Sequence, residues 1–224
     1  RAHKENRERE QLWESFYEAT DALFKGDLSK AEKQIIAYLN KRPDDPKIYL
    51  KLVEIYQKAG KPRKAIETLE RAKDLKIDQL EILFREAQIY KDTADYGGAV
   101  RAFKDIIAIS PTNREAMREL RDIYIEDKEW EEALKLQKKI MKVSPPGEID
   151  RENKLHRGLR YEHARIMAER GEADKGIKEL KDIIKEDAAF SPPPVLLGEL
   201  LRRAGEAKEA VKVWRRGFEQ THDI

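Results

Sequence analysis

The chain has 224 residues, 40% of them charged and 40% apolar, with 46 Lys and Arg set against 44 Asp and Glu. Eleven Gly and nine Pro are too few for a turn-rich β protein or a disordered tail, and a net charge of +2 argues against a nucleic-acid arm. Zero Cys removes disulfides, thiolate catalysis and Cys-ligated zinc, and no run approaches the roughly 18 apolar residues of a membrane span.

Residues 1–11 read as a helical lead-in, with Arg1, Lys4, Arg7 and Arg9 interleaved with Glu5, Glu8 and Glu10. A first residue of Arg rather than Met leads us to expect a fragment of a longer protein. From residue 12 a period dominates. Small residues recur at Ala31, Ala65, Ala99 and Ala133, each 34 residues after the last, then at Gly176 and, 34 further on, at Ala210. Nine residues before each stands Ala22, Tyr56, Tyr90, Tyr124, Met167 or Leu201. Four residues after each stands Ile35, Leu69, Phe103, Gln137, Leu180 or Trp214. Pro43, Pro111 and Pro145 close three of the six periods, with Ile77, Ala188 and His222 in that slot elsewhere.

A small residue lets two helices approach, and the large apolar neighbours fill the space beside it. The period therefore predicts six helix–turn–helix repeats. Gly26, Gly60, Gly171 and Gly205 fall at the turns, where positive φ is useful at a helix end. Asp27, Asp45 and Ser191 are expected caps, the last two followed by Pro in a first helical turn. On this ground Pro192-Pro193-Pro194 reads as a helix start rather than a polyproline-II ligand. Repeats one to four occupy 12–147, an insertion at 148–156 lengthens the next helix (about Asp150 to Arg170), and repeats five and six occupy 157–224 of one continuous solenoid. The insertion reads first as a longer helix packed on its neighbours, with a binding element as the alternative.

The 34-residue period and its slots resemble the tetratricopeptide repeat (TPR) family over nearly the whole chain. That resemblance implies an all-α, right-handed α-solenoid in which the first helix of each repeat lines a concave surface for extended peptides or partner helices. One groove-facing position holds Phe16, Leu50, Phe84, Arg118, Tyr161 and Val195. Trp13 and Arg165 are further candidates, so the expected partner-binding groove is Trp13, Phe16, Leu50, Phe84, Arg118, Tyr161 and Arg165. Aromatic and Arg side chains are favoured at binding hot spots. Arg118 and Arg165 are expected to be exposed, because charged side chains are seldom fully buried. Phe16 and Phe84 are balanced between contact surface and gap filling. The family's Lys/Asn/Arg carboxylate clamp is not seen, since the matching positions hold Phe16, Thr20, Lys51, Glu81 and Arg85.

His156 and His163 lie seven residues apart on one helix, about 10 Å along its axis, too far to share a metal. His3 and His222 are remote from both in sequence. No phosphate-loop, dinucleotide, zinc-protease or nucleophile-elbow motif occurs, so no catalytic residue, metal or cofactor is expected. Val211, Trp214 and Phe218 give the last helix an apolar face, from which we expect either further chain or packing on another copy.

Repeats four to six resemble the bacterial lipopolysaccharide assembly protein B family. The segments concerned are Ile123-Tyr124 with Glu129-Trp130-Glu131-Glu132-Ala133-Leu134, Tyr161-Glu162-His163-Ala164, and residues 171–187. That resemblance implies a cytoplasmic TPR array tethered by an N-terminal inner-membrane helix and followed by a CxxC zinc module, acting as an adaptor in lipopolysaccharide assembly. Neither the membrane helix nor any Cys is in this sequence. The expected function is a non-catalytic scaffold for a protein or peptide partner rather than nucleic acid. The alternative is a regulatory or substrate-positioning domain of a larger enzyme.

Overall fold

The computed structural model describes residues 2–73, 75 and 78–222, with side chains described from residue 10 to residue 220. The lead-in charges before Glu10, together with His3, Ile77, His222 and Ile224, lie outside the described side chains. The described residues form twelve α-helices and one short 3-10 turn, an all-α repeat solenoid. The chain divides into two compact halves at Pro111/Thr112.

The N-terminal half stacks three helix pairs: α1 (Ala2–Phe24) with α2 (Leu28–Lys41), α3 (Pro46–Lys58) with α4 (Pro62–Ala72), and α5 (Gln79–Asp92) with α6 (Tyr96–Ile109). The C-terminal half stacks α7 (Arg114–Glu126) with α8 (Trp130–Val143), α9 (Ile149–Glu169) with α10 (Ala173–Glu186), and α11 (Pro192–Arg203) with α12 (Ala207–His222). No helix among the described residues is long and apolar enough to cross a membrane.

The periodic small residues sit where helices press together. Ala31, Ala65, Ala99, Ala133 and Ala210 are all fully buried. At Gly176 an added Cβ would lie 2.7 Å from the Ala164 carbonyl oxygen, which explains the one glycine in the series. The slots around them carry the core: Ile35, Leu69 and Leu180 are solvent-free, and Phe103 nearly so.

Each pair turns in the same way. The backbone N–H one residue past the turn bonds back to the carbonyl of the Tyr-slot residue: Asp27 to Ala22, Lys61 to Tyr56, Asp95 to Tyr90, Glu129 to Tyr124, Glu172 to Met167 and Glu206 to Leu201. This closure needs a left-handed residue at its apex. Gly26, Gly60, Gly171 and Gly205 supply it with φ of 66° to 87°. Ala94 (56°) and Lys128 (60°) adopt the same conformation with a side chain attached.

Asp27 and Asp45 cap their helices, accepting from the Lys30 and Lys47 amides at 2.9 and 3.2 Å. Ser191 does not cap α11. A capping oxygen needs the amide of the second or third helical residue, and here those are Pro193 and Pro194, which have no N–H.

The insertion continues the helix that follows it. A 3-10 turn at Pro146–Glu148 leads into the 21-residue α9. Glu148 and Glu152 at its start meet three arginines of α7. Arg114 and Arg118 both donate to Glu148, Arg118 also to Glu152 at 2.6 Å, and Arg121 lies 3.6 Å from Glu152. Gln137 of α8, at the position that holds Ile35, Leu69 and Phe103 in the earlier repeats, is fully buried and joins them. It accepts from Arg121 at 2.8 Å and donates to the Glu152 carboxylate at 2.8 Å and to the Glu152 carbonyl at 3.0 Å. Burial would raise the Glu152 pKa, but the hydrogen bonds from Gln137 and Arg118 and the nearby guanidinium charges outweigh it and hold the carboxyl below its usual range.

Candidate functional site

α1 and the two helices that follow it build a cleft walled by three aromatic side chains. Its volume is about 530 Å³. Leu12, Trp13 and Phe16 of α1 form one wall, Tyr38 near the end of α2 the second, and Ile48 near the start of α3 the third. Trp13 and Phe16 meet edge-on with ring centroids 6.3 Å apart, and Phe16 meets Tyr38 at 6.5 Å. Phe16 is half-buried on the core, whereas Trp13 is 67% exposed. The Tyr38 hydroxyl donates to Asp45 at 3.1 Å, and burial with that carboxylate beside it raises the phenol pKa.

The rim is cationic. Arg42, Lys47 and Lys51 border the cleft against a single lining carboxylate, Asp45. Arg42 reaches Asp44 at 3.5 Å and Lys51 reaches Glu54 at 2.7 Å, while the Lys47 ammonium takes no ion pair among the described residues. Such a cleft can hold an apolar side chain in its aromatic walls and a carboxylate at its lip.

The other expected groove residues are placed as follows. Leu50 is half-buried against the core of the N-terminal half and does not line the cleft. Phe84 is half-buried on α5. Tyr161 is half-buried on α9 with its ring 6.2 Å from that of Phe190. Arg165, one turn later, holds Glu162 at 2.8 Å and Glu169 at 2.7 Å. Neither arginine is as free as expected. Arg118 is 31% exposed at the side chain because the lengthened α9 brings Glu148 and Glu152 onto it. Arg165 is half-buried and engaged by carboxylates of its own helix. The structure thus joins Trp13 to Phe16 in one cleft. It adds Tyr38 and Lys47, which the sequence reading missed because they meet α1 only through the packing of α2 and α3.

Tetratricopeptide-repeat family models match residues 18–79 and 92–146, and the chain carries tetratricopeptide repeats. Among solved structures it is similar to a tetratricopeptide repeat protein from Parabacteroides merdae ATCC 43184, at 21% identity and a TM-score of 0.53, over 95% of this chain and 81% of that one. It is also similar to a chain of the Naa15/Naa10 complex bound to HypK-THB, at 14% identity and a TM-score of 0.59, over 95% of this chain but 32% of that one. No curated protein sequence matches it.

Proposed function

We propose that the protein is a non-catalytic interaction scaffold that holds a partner peptide or helix along the first helices of its repeats. The observation that carries this reading is the cleft of about 530 Å³ with Trp13 and Phe16 in its wall and Arg42, Lys47 and Lys51 at its rim. Large aromatic side chains left in water beside a concavity are the usual anchors of protein recognition. We extend this reading to half-buried Phe84, one repeat after Leu50 in the same register, as a further contact in the N-terminal half.

Photo-crosslinking in the source cell tests this. A benzophenone amino acid is placed at Trp13 or Phe84, with exposed Glu67 on α4 as control. One identified partner joined from Trp13 and Phe84 but not from Glu67 is the expected result. Joining only from Glu67 would overturn the reading.

The setting we assign is regulation of lipopolysaccharide assembly. Its support is the likeness of Ile123-Tyr124, Glu129–Leu134, Tyr161–Ala164 and residues 171–187 to the assembly protein B family. Lipid A content in cells lacking the protein checks this separately: unchanged content removes the setting and leaves the scaffold.

A further inference from the structure

Three side chains on α1 stand in water with one spacing. Trp13, Tyr17 and Phe24 are 67%, 77% and 92% exposed, and Thr20 completes the series. Steps of four, three and four residues place all four on one face, a stripe about 16 Å long. The repeat gives a direct control. At the same four positions α3 holds Lys47, Lys51, Glu54 and Lys58, and α5 and α7 hold only polar or charged residues. Three aromatic side chains replace charge at this one helix, against the normal preference of a solvated face.

The stripe is not a seat for an earlier repeat. The face by which a first helix meets the preceding pair is read from Ile48 and Ile55 of α3, and Ile82 and Ile89 of α5, all buried in the core. One period earlier those positions are Glu14 and Asp21. Glu14 takes no ion pair among the described residues, Asp21 holds Lys25 at 2.8 Å, and Glu18 beside them accepts from Gln34 at 2.6 Å. That face of α1 therefore carries Glu14 and Asp21 where the later repeats bury isoleucine, and the aromatic face beside it is open.

The two borders of the stripe carry opposite charge. Glu14, Glu18 and Asp21 follow one edge of α1. Across the cleft on the other side stand Arg42, Lys47 and Lys51 with Asp45 among them, and Lys58 follows on α3, where Glu54 is shared between Lys51 and Lys58 at 2.7 and 3.2 Å. A uniformly anionic surface, such as a bilayer, would meet the acidic edge with repulsion. A helix whose two edges differ satisfies both.

We propose that the Trp13–Tyr17–Phe24 stripe seats an amphipathic helix of a partner protein, its apolar face bordered by carboxylates toward the α3 lysines and by cations toward Glu14, Glu18 and Asp21. This deepens the scaffold reading and rests on it. The apolar face lies along α1 and one large side chain enters the cleft beside Trp13, a helix-in-groove contact in which aromatic anchors supply affinity and the flanking charges fix register.

Three synthetic helical peptides of equal length with the same leucine face are the probes. One has Glu on one edge and Lys on the other, one has Lys on both edges, and one has Glu on both. Fluorescence anisotropy is expected to show the mixed-edge peptide binding at least about tenfold tighter than either other, a difference of about 1.4 kcal/mol. The Trp13→Ala/Tyr17→Ala/Phe24→Ala variant, altered only at exposed positions, should lose that binding with unchanged helicity, while Glu67→Ala on α4 keeps it. Lys47→Glu with Lys51→Glu should turn the preference to the peptide with Lys on both edges. Equal binding of all three peptides, no binding of any, or binding that survives the triple variant would overturn the proposal. Binding lost in Phe84→Ala but kept by the triple variant would overturn it while leaving the scaffold reading standing. Stripe-dependent binding to phosphatidylglycerol vesicles, without peptide binding, would overturn it in favour of a membrane surface.

Discussion

The indole of Trp214 occupies the space in which a side chain at residue 198 would begin: its Nε1 lies 2.1 Å from where a Cβ on Gly198 would be. The same N–H donates to the Val195 carbonyl at 3.2 Å, one turn earlier in α11. A glycine inside a helix normally weakens it by about 1 kcal/mol relative to alanine. Here it admits an aromatic ring to the backbone of the neighbouring helix. Gly198→Ala should therefore lower stability by about 1–3 kcal/mol despite alanine's higher helix propensity. A urea melt checks this, and a gain in stability would contradict the α11–α12 packing.

Ala94 and Lys128 stand at turn apices with φ of 56° and 60°, 34 residues apart and in register with Gly60. The left-handed region costs a residue with a Cβ about 1–2 kcal/mol, part of which glycine returns as greater freedom in the unfolded chain. Ala94→Gly and Lys128→Gly should each stabilise the protein by about 0.5–1 kcal/mol, read as a rise in melting temperature. Gly60→Ala should do the reverse.

Gln137 joins the Arg121 guanidinium to the Glu152 carboxylate in full burial. Gln137→Leu fills the slot with the residue that two other repeats carry there, yet it removes an acceptor from the Arg121 guanidinium and a donor from the Glu152 carboxylate. We expect a loss of about 1–3 kcal/mol in chemical denaturation, because unmet buried polar groups cost more than the added apolar contact returns.

His156 of α9 has a buried Nδ1 with no hydrogen-bond partner. Burial pushes its pKa below 6.5, Arg160 and Lys138 push it further down, and Glu186 and Glu179 oppose them. The unfolded chain takes up this proton first as the medium is acidified. The stability that the neutral ring contributes is therefore fully present above about pH 6.5 and is lost as pH falls from there toward the folded-state pKa. Urea midpoints at pH 7.5 and 5.5 should differ more for the native chain than for His156→Leu. Equal differences would remove His156 as a cause.

The repeat was legible because it depends on residues that act alone. A buried alanine every 34 positions and a glycine at a left-handed turn announce themselves in one dimension. What stayed hidden depends on meetings between helices. Arg118 read as a free groove side chain because Glu148 and Glu152 reach it only once α9 is extended and laid against α7. Gln137 stood in the sequence only as one member of its slot, when it is the centre of a polar cluster. Ser191 read as a cap because the rule attends to the capping residue and not to the missing amides after it. The signal for Tyr17 and Phe24 was present in the sequence, but only as a contrast between repeats at one position, and that contrast gained weight when both rings proved to be exposed.

The acidic packing face of α1 gives the array a direction of growth. An engineered helix pair grafted ahead of α1 would press its apolar side onto Glu14 and Asp21 and fail to seat. One grafted after α12 would meet Val211 and Phe218, 51% and 63% exposed, at the positions that bear on a following helix in the earlier repeats. A designer wishing to lengthen this solenoid should therefore build from its last helix.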